Sequence, residues 1–308
     1  LRAVVARANR ANKGSQAALE IRKVHPSATG YVCPLHSPDT GENVGMRRQL
    51  AVTAGVTGAG DAGLLGARLM ADPAVRPVNE VPDRELAGMS RVAVNGRWLG
   101  CVPLGEVHAF ARRYREGRRR GELDPLTSVY LDPVHLNLYF WLDAGRLVRP
   151  LLLVANNREE YDRAARAGRP VPFEQGLVLD RELLGALRRG ALPFEELVRR
   201  GAAEYVSPDE QSNCLLCPGA DALGAARGDP CRQYTHCEVP QAVLGITTLA
   251  APYGCHTQPV RDTYCTNHTR QAAGLYCLSY PHRQGNNNFL LYSPELPLAH
   301  TLASRYVP

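Results

Sequence analysis

The alternation of apolar and polar positions is clearest around residues 92–100. Two short β-prone runs flank Asn95-Gly96 there, in the order Val-Ala-Val-Asn-Gly-Arg-Trp-Leu-Gly. Asn-Gly is the dipeptide that a type I′ turn prefers, because both central residues of that turn need a positive φ. The segment therefore predicts a β-hairpin.

A helical period follows the hairpin. Apolar residues recur on one helical face, at Val107, Phe110, Ala111 and Tyr114, which predicts an amphipathic helix. The basic run Arg118–Arg120 then precedes Gly121. Because cations at a helix C-terminus interact favourably with the helix dipole, the run is interpreted as a solvated helix end that needs no ligand.

Weaker patterns divide the rest of the chain into short elements. Apolar runs predict strands at 136–142 and 147–154, with a turn between them. Prolines and glycines between residues 33 and 45 predict an ordered loop. The remaining predictions are short helices at 181–189 and 194–200, a polar loop at 207–232, and β-prone runs at 242–249, 274–280 and 288–292. The pattern indicates a mixed α+β fold.

Composition adds a domain count and a weak basic bias. A chain of 308 residues is long enough for about two domains. The net charge of +6 fits solvated arginines on helix faces as well as it fits a nucleic-acid footprint. No apolar run is long enough to predict a membrane helix, and no Walker loop, nucleophile elbow or His-Glu-x-x-His pair is present in the sequence.

Cysteines offer one candidate metal site. Cys214-x-x-Cys217 has the spacing of a zinc-ligand pair, and Cys231 and Cys237 follow it. The second pair is separated by five residues and lacks that spacing. The nine cysteines are therefore interpreted as free thiols in a reducing compartment, and a structural zinc ion at these four stays the alternative.

Five segments of the sequence contain motifs that are more specific than these hydrophobic patterns. They are Gly30–Gly45, with Cys33-Pro34 and Ser37-Pro38-Asp39; Val94–Gly100, with the arginine run and Gly121-Glu122-Leu123; Asp143–Leu151; Ala203–Glu210; and 234–298, with Thr235–Glu238, Gln258–Tyr264, Arg270–Gly274 and Leu291–Leu298. In this order they resemble the second-largest subunit of multisubunit DNA-directed RNA polymerases. The resemblance covers nearly the whole chain, which it identifies as an internal piece of such a subunit from a divergent lineage, with a large DNA virus as one candidate source.

The resemblance implies a domain plan. It assigns 1–55 to the first part of the fork, 56–142 to an external 1-like region and 143–206 to an external 2-like region. It assigns 207–244 to the return segment of the fork, which includes the cysteine-containing loop. It assigns 245–308 to the start of the hybrid-binding domain. The fold class that follows is mixed α+β and multidomain, and the C-terminal part contributes strands of an incomplete double-psi β-barrel.

The resemblance also implies a role beside an active centre. Arg261 matches the arginine of the family that reaches the triphosphate of the incoming nucleotide. Gln271 matches a side chain that contacts the RNA near its growing end, and Tyr264 lies between these two residues in the sequence. Asp39 and Asn43 map to the fork loop near that centre. The resemblance assigns the catalytic Mg²⁺ to aspartates of the largest subunit, so it carries no acidic metal site over to this chain, and zinc at the four cysteines stays the alternative.

The expected function is thus DNA-templated RNA synthesis from NTPs, as one part of a larger enzyme. Its expected partners are the largest and smaller polymerase subunits, the DNA template, the RNA–DNA hybrid and NTPs, inside a nucleus, a virion or a viral factory. Two alternatives stay open. One is a zinc-stabilised nucleic-acid-binding module, and the other is an inactive paralogue, suggested by the altered fork loop and by Asp262, where the family usually has Asn.

Overall fold

A computed structural model of the chain forms two compact units. It describes residues 22–37, 44–167 and 171–250, the backbone of 3–5, and the single residues 256, 261 and 264. The first unit combines Leu1–Ala54 with Gln241–Pro308, and the second is Gly55–Pro240. Among the helices of the described residues, none is long and apolar enough to cross a membrane.

Strands and helices alternate irregularly along the described chain. The strands are β1 Ala3–Val5, β2 Arg47–Gln49, β3 Gly55–Val56, β4 Arg76–Pro77, β5 Met89–Val94, β6 Arg97–Pro103, β7 Ser128–Leu131, β8 Leu138–Trp141, β9 Leu147–Asn156, β10 Gln175–Leu177, β11 Ala203–Val206, β12 Leu216–Cys217 and β13 His236–Cys237. The α-helices are α1 Ala62–Met70, α2 Asp83–Leu86, α3 Val107–Arg119, α4 Arg158–Arg166, α5 Arg181–Arg188, α6 Phe194–Arg199, α7 Pro208–Gln211, α8 Ala220–Ala225 and α9 Ile246–Ala250.

A five-stranded sheet in the order β4-β6-β5-β8-β7 holds the main core of the second unit. Helices α1 and α3 pack on one of its faces, where Leu69 and Phe110 join Val92, Leu138 and Phe140 in one buried cluster. The helices lie there because their apolar stripes have no other place to bury, and burial of apolar surface is the main stabilising term in folding.

The β5–β6 turn has the predicted geometry. Asn95 and Gly96 have φ angles of 47° and 79°, as a type I′ turn requires. In the middle of β6, a Cβ on Gly100 would lie 2.7 Å from Val75 Cγ1 and 2.8 Å from the Arg76 carbonyl oxygen. Glycine at position 100 is therefore what lets β4 approach β6.

A second sheet of the same unit is built around the long strand β9. Strands β3, β10, β11 and β13 all pair with β9 in antiparallel orientation, and β12 pairs with β13 in parallel. Most of these partners are only two to four residues long. Strand β9 therefore organises segments that lie far apart in the sequence.

The first unit joins two distant parts of the chain. Val32 bridges Leu50, and the Val52 amide donates to the Leu244 carbonyl oxygen at 2.8 Å. The Thr247 hydroxyl of α9 donates to Gln49 Oε1 at 2.5 Å. These bonds hold residues 244–250 against the N-terminal segment.

The structure confirms the mixed α+β class and most local predictions. The hairpin, helix α3, strands β8 and β9 and helices α5 and α6 all form where the patterns placed them. Two predictions are wrong: the loop at 207–232 contains α7, β12 and α8, and the β-prone run at 242–249 forms most of α9. The runs at 274–280 and 288–292 lie outside the described residues, and the double-psi barrel and the domain boundaries stay predictions.

The start of α1 offers a simple test of local stability. Asp61 is its N-cap, and the Asp61 Oδ1 atom accepts a hydrogen bond from the Leu64 amide at 2.9 Å. Replacing Asp61 by Ala leaves that amide without its cap, so we expect a loss of about 1 kcal/mol in urea unfolding. Asp61→Asn keeps an acceptor and should stay within a few tenths of a kcal/mol of the parent. An equal loss in both variants would contradict the capping explanation.

Candidate functional site

The structure places two of the five predicted site residues. Arg261 and Tyr264 both have helical backbone and are exposed. The Arg261 guanidinium carbon lies 5.5 Å from the centroid of the Tyr264 ring, which is cation–π geometry. Gln271, Asp39 and Asn43 lie outside the described residues, so the five cannot be compared as one site.

The four cysteines proposed as zinc ligands do not converge. Cys217 and Cys237 are register partners on β12 and β13 and are buried. Cys231 is exposed, and the Cys214 thiol donates to the Glu210 carbonyl oxygen at 3.5 Å. Within the described part of the chain, no group of three or more His, Cys, Asp or Glu side chains could hold a metal ion.

Burial makes these thiols poor nucleophiles. It raises the pKa of Cys214 to about 12, with a further contribution from the charge of Glu210. Burial and the neighbouring Cys217 raise the pKa of Cys237 to about 11. Both side chains therefore favour the protonated thiol, which is a weaker nucleophile than the thiolate.

The most developed polar site of the second unit is a buried ion network that the sequence analysis missed. Its centre is Arg118, on the last turn of α3, which is only 4% exposed. The Arg118 Nη1 and Nη2 atoms donate to the two carboxylate oxygens of Glu210, each at 2.8 Å. Nη2 also donates to Glu204 at 3.1 Å. The interpretation of this residue as part of a solvated helix end was wrong.

Three side chains bind the Glu204 carboxylate. Arg119 donates to both of its oxygens at 2.9 Å, and Arg118 contacts Oε2. His236 Nε2 lies 2.5 Å from Glu204 Oε1, and the Thr235 hydroxyl lies 2.8 Å from His236 Nδ1. Because a carboxylate can only accept, the His236 Nε2 atom carries the proton.

These contacts shift the pKa values in opposite directions. Burial alone would raise the pKa of Glu204, but attraction to Arg118 and the hydrogen bonds from His236 and Arg119 hold it well below its usual value of 4.5. Burial alone would lower the pKa of Arg118, but Glu210 and Glu204 raise it. Both side chains therefore stay charged in the interior.

A second ion pair lies on β9. Arg149 is 1% exposed, and its Nη1 atom donates to Glu238 Oε2 at 2.5 Å. Its Nε atom donates to Gln211 Oε1 at 2.9 Å. Gln211 follows Glu210 on α7, so the two ion sites are connected through one short helix.

Four of the five collinear segments meet in these two ion sites. Arg118 comes from the arginine run, Arg149 from Asp143–Leu151, Glu204 and Glu210 from Ala203–Glu210, and Glu238 from Thr235–Glu238. The signal that could have found them is the presence of acids in segments that form buried strands, together with an arginine run on a helix with an apolar stripe. Spacing alone does not match a given acid to a given arginine.

A surface cleft of about 300 Å³ lies beside the same helix. Its charged and phenolic lining is Arg68, Asp72, Arg113, Tyr114, Arg120 and Glu122. Each arginine is already paired, with Arg113 on Asp72 and both Arg68 and Arg120 on Glu122. The lining therefore carries three positive charges against two negative ones, and each of its arginines already has an acidic partner.

Comparison with known proteins places the chain in a family. Residues 1–56 match the family model described as RNA polymerase Rpb2, domain 3, and residues 92–155 match RNA polymerase Rpb2, domain 4. DNA-directed RNA polymerase subunit Rpo2 of Saccharolobus shibatae is 32% identical over 92% of this chain and 24% of its own length.

Eukaryotic relatives align over the same extent. DNA-directed RNA polymerase II subunit RPB2 of Encephalitozoon cuniculi is 27% identical over 93% of the chain, and subunit 2 of Arabidopsis thaliana is 26% identical over 93%. The chain spans 24% and 23% of the lengths of these two relatives. Together with the two domain matches, this similarity shows that the chain belongs to the family of second-largest subunits of DNA-directed RNA polymerases.

Proposed function

We propose that the chain works as part of a DNA-directed RNA polymerase that makes RNA on a DNA template from NTPs. The observation that carries the proposal is the similarity to Rpo2 over 92% of the chain. The two Rpb2 domain matches fall in the order of their domain numbers along the sequence. The partners proposed with it are a larger subunit that supplies the catalytic Mg²⁺ site and the smaller polymerase subunits.

Within that enzyme, we propose that Arg261 contacts the triphosphate of the incoming nucleotide. A guanidinium group suits this role because it stays charged and forms paired hydrogen bonds to phosphate oxygens. The Tyr264 ring supports the proposal by its position, since a ring 5.5 Å from the guanidinium carbon restricts the Arg261 side chain. Such a contact would offset negative charge that builds on the leaving pyrophosphate.

Further contacts would complete the nucleotide site. Gln271 is proposed to hydrogen-bond the RNA near its 3′ end, where an uncharged amide can contact a sugar hydroxyl or a base. Asp39 and Asn43 are proposed to lie on the fork loop near the active centre. The catalytic Mg²⁺ is proposed to be held by aspartates of the largest subunit.

The test is an Arg261→Ala variant in reconstituted polymerase. We expect the KM for NTPs in templated RNA synthesis to rise about tenfold or more, because a hydrogen-bonded charge pair contributes about 1.5–3 kcal/mol. Arg188→Ala removes a comparable exposed arginine from α5 and should leave the KM unchanged. An NTP dependence identical in the Arg261→Ala and parent enzymes would rule out the assigned contact.

A further inference from the structure

The five-stranded sheet of the second unit has a second face. Residues that point away from the α1–α3 core alternate with the core residues along each strand. The strand register places four of them in one row across the sheet: Trp98 on β6, Ala93 on β5, Tyr139 on β8 and Tyr130 on β7. None of the four belongs to the buried cluster that holds α1 and α3.

The rings of this row form an ordered aromatic surface. Tyr130 and Tyr139 have ring centroids 6.0 Å apart and planes 19° apart. Trp141, on the same side of β8, lies 6.1 Å from Tyr139 with its plane tilted by 10°. Trp98 is 36% exposed, and the other three rings are partly exposed. Aligned, half-buried rings have little side-chain entropy left to lose when a partner binds.

Charges of opposite sign border the two ends of the row. Arg91, two residues before Ala93 on the same side of β5, is exposed at the Trp98 end, and its guanidinium carbon lies 4.9 Å from the Trp98 ring centroid. At the Tyr130 end, Asp132 and the exposed Asp209 are close enough that, after burial, their charges contribute to raising the pKa of Tyr130. The surface is therefore basic at one end and acidic at the other.

We propose, on the basis of the proposed function, that this face is a docking surface for a segment of another polymerase subunit. The segment lies across the strands, with an acidic side chain opposite Arg91 and a basic one opposite Asp132 and Asp209. Trp, Tyr and Arg are the residues enriched at the energetic centres of protein interfaces. A nucleic acid fits less well, because its phosphates would meet the two aspartates at the Tyr130 end.

The first test uses a photoreactive phenylalanine analogue in place of Tyr139 in assembled polymerase. After irradiation, we expect one crosslinked peptide, from a different subunit and carrying a Lys or Arg. The same analogue at Arg188 serves as the control and should not capture that peptide. Crosslinks to nucleic acid, crosslinks within this chain only, or no crosslink at all would each overturn the proposal.

The second test uses charge. Arg91→Glu and Asp209→Arg each place a like charge against the segment, so we expect the crosslink yield from position 139 to fall about tenfold in each variant. Reversal of the facing charge on the captured peptide should restore the yield. If the crosslink yields did not change, the segment would not interact with these charges, which would contradict the proposed orientation.

These tests separate the inference from the function on which it rests. If the chain does not copurify with a larger subunit that supplies the catalytic aspartates, the proposed function fails. If it does copurify and position 139 captures no other subunit, the docking surface alone fails.

Discussion

Replacing Arg118 by Ala is expected to destabilise the second unit by about 3–5 kcal/mol. The substitution removes the only guanidinium that contacts both Glu204 and Glu210 among the described residues. Those two carboxylates are 3% and 2% exposed, so water cannot replace the lost partner. Glu204 keeps Arg119 and His236. Glu210 loses its paired hydrogen bonds and, of the cations in the described residues, keeps only Arg115 Nε, at 3.6 Å. A buried carboxylate that loses its closest cation carries a large part of its desolvation penalty, so the loss comes mainly from Glu210.

Tryptophan fluorescence can follow this unfolding selectively. The chain has two tryptophans, Trp98 and Trp141, and both lie in the second unit. Urea titration of the 308-residue chain therefore reports on Gly55–Pro240 without a signal from the other unit.

Arg112→Ala is the matched control for this measurement. Arg112 is on the same helix and pairs with Glu159, but its side chain is 61% exposed. Exposed pairs contribute little, so we expect a change within about 0.5 kcal/mol. A typical single mutation costs about 1 kcal/mol. If the unfolding free energies of Arg118→Ala and Arg112→Ala differed by no more than that, the buried network would not be a major source of stability in this unit.

The same network shows where prediction from the sequence succeeds and where it stops. Helix α3 was predicted from four apolar positions, because its period is local and its stripe faces one core. The arginines at its end follow a local rule too, and for Arg120 that rule holds, since this side chain is exposed. Arg118 breaks the rule because its acidic partners lie 86 and 92 residues farther along the chain.

Tertiary contacts also overrode two propensity-based predictions. The Ile-Thr-Thr sequence of α9 favours a strand, yet Thr247 and Thr248 are buried in a helix and contact Gln49 and Cys33. Strands β12 and β13 have two residues each, which is too short for an alternation of apolar and polar positions to be recognised in the sequence. They exist because β9 offers β13 an antiparallel partner, and β13 in turn offers β12 a parallel one.

The candidate nucleotide site was predictable only through resemblance. Nothing in the spacing of Arg261, Tyr264 and Gln271 distinguishes them from ordinary surface residues. Their predicted roles come only from the family motifs that surround them in the sequence. The ion network has the opposite character, since its chemistry is evident once the acids and arginines are seen together. Four of the collinear segments contribute side chains to the two buried ion sites. Because these side chains depend on one another, the shared order of the segments is a more specific signal of the family than any single segment.

Acid is expected to weaken the second unit through Glu204. Its pKa is held well below 4.5 in the folded chain and returns toward 4.5 on unfolding. The unfolded state therefore binds a proton first as the pH falls. The stabilisation is fully present above about pH 5 and is lost as the pH drops from there through the folded pKa.

A Glu204→Gln variant isolates this contribution. At about pH 7 the variant lacks the charge and should unfold at lower urea. Below about pH 4.5 the unfolded parent gains a proton that its folded state does not hold, so the difference in unfolding free energy between the two should shrink as the pH falls further. The Trp98 and Trp141 signals again follow the unit that contains the network.

Salt distinguishes the buried carboxylate from those at the surface. The pKa of Glu196 is also lowered, mainly by a hydrogen bond from Arg200 on the surface of α6. Ions screen such a pair, so the pH dependence of the Glu196→Gln difference should fade in about 1 M salt, where the Debye length is about 3 Å. The Glu204→Gln difference should persist there, because solvent ions do not reach a side chain that is 3% exposed. A Glu204 response that fades with salt would mean that the network opens to water before the unit unfolds.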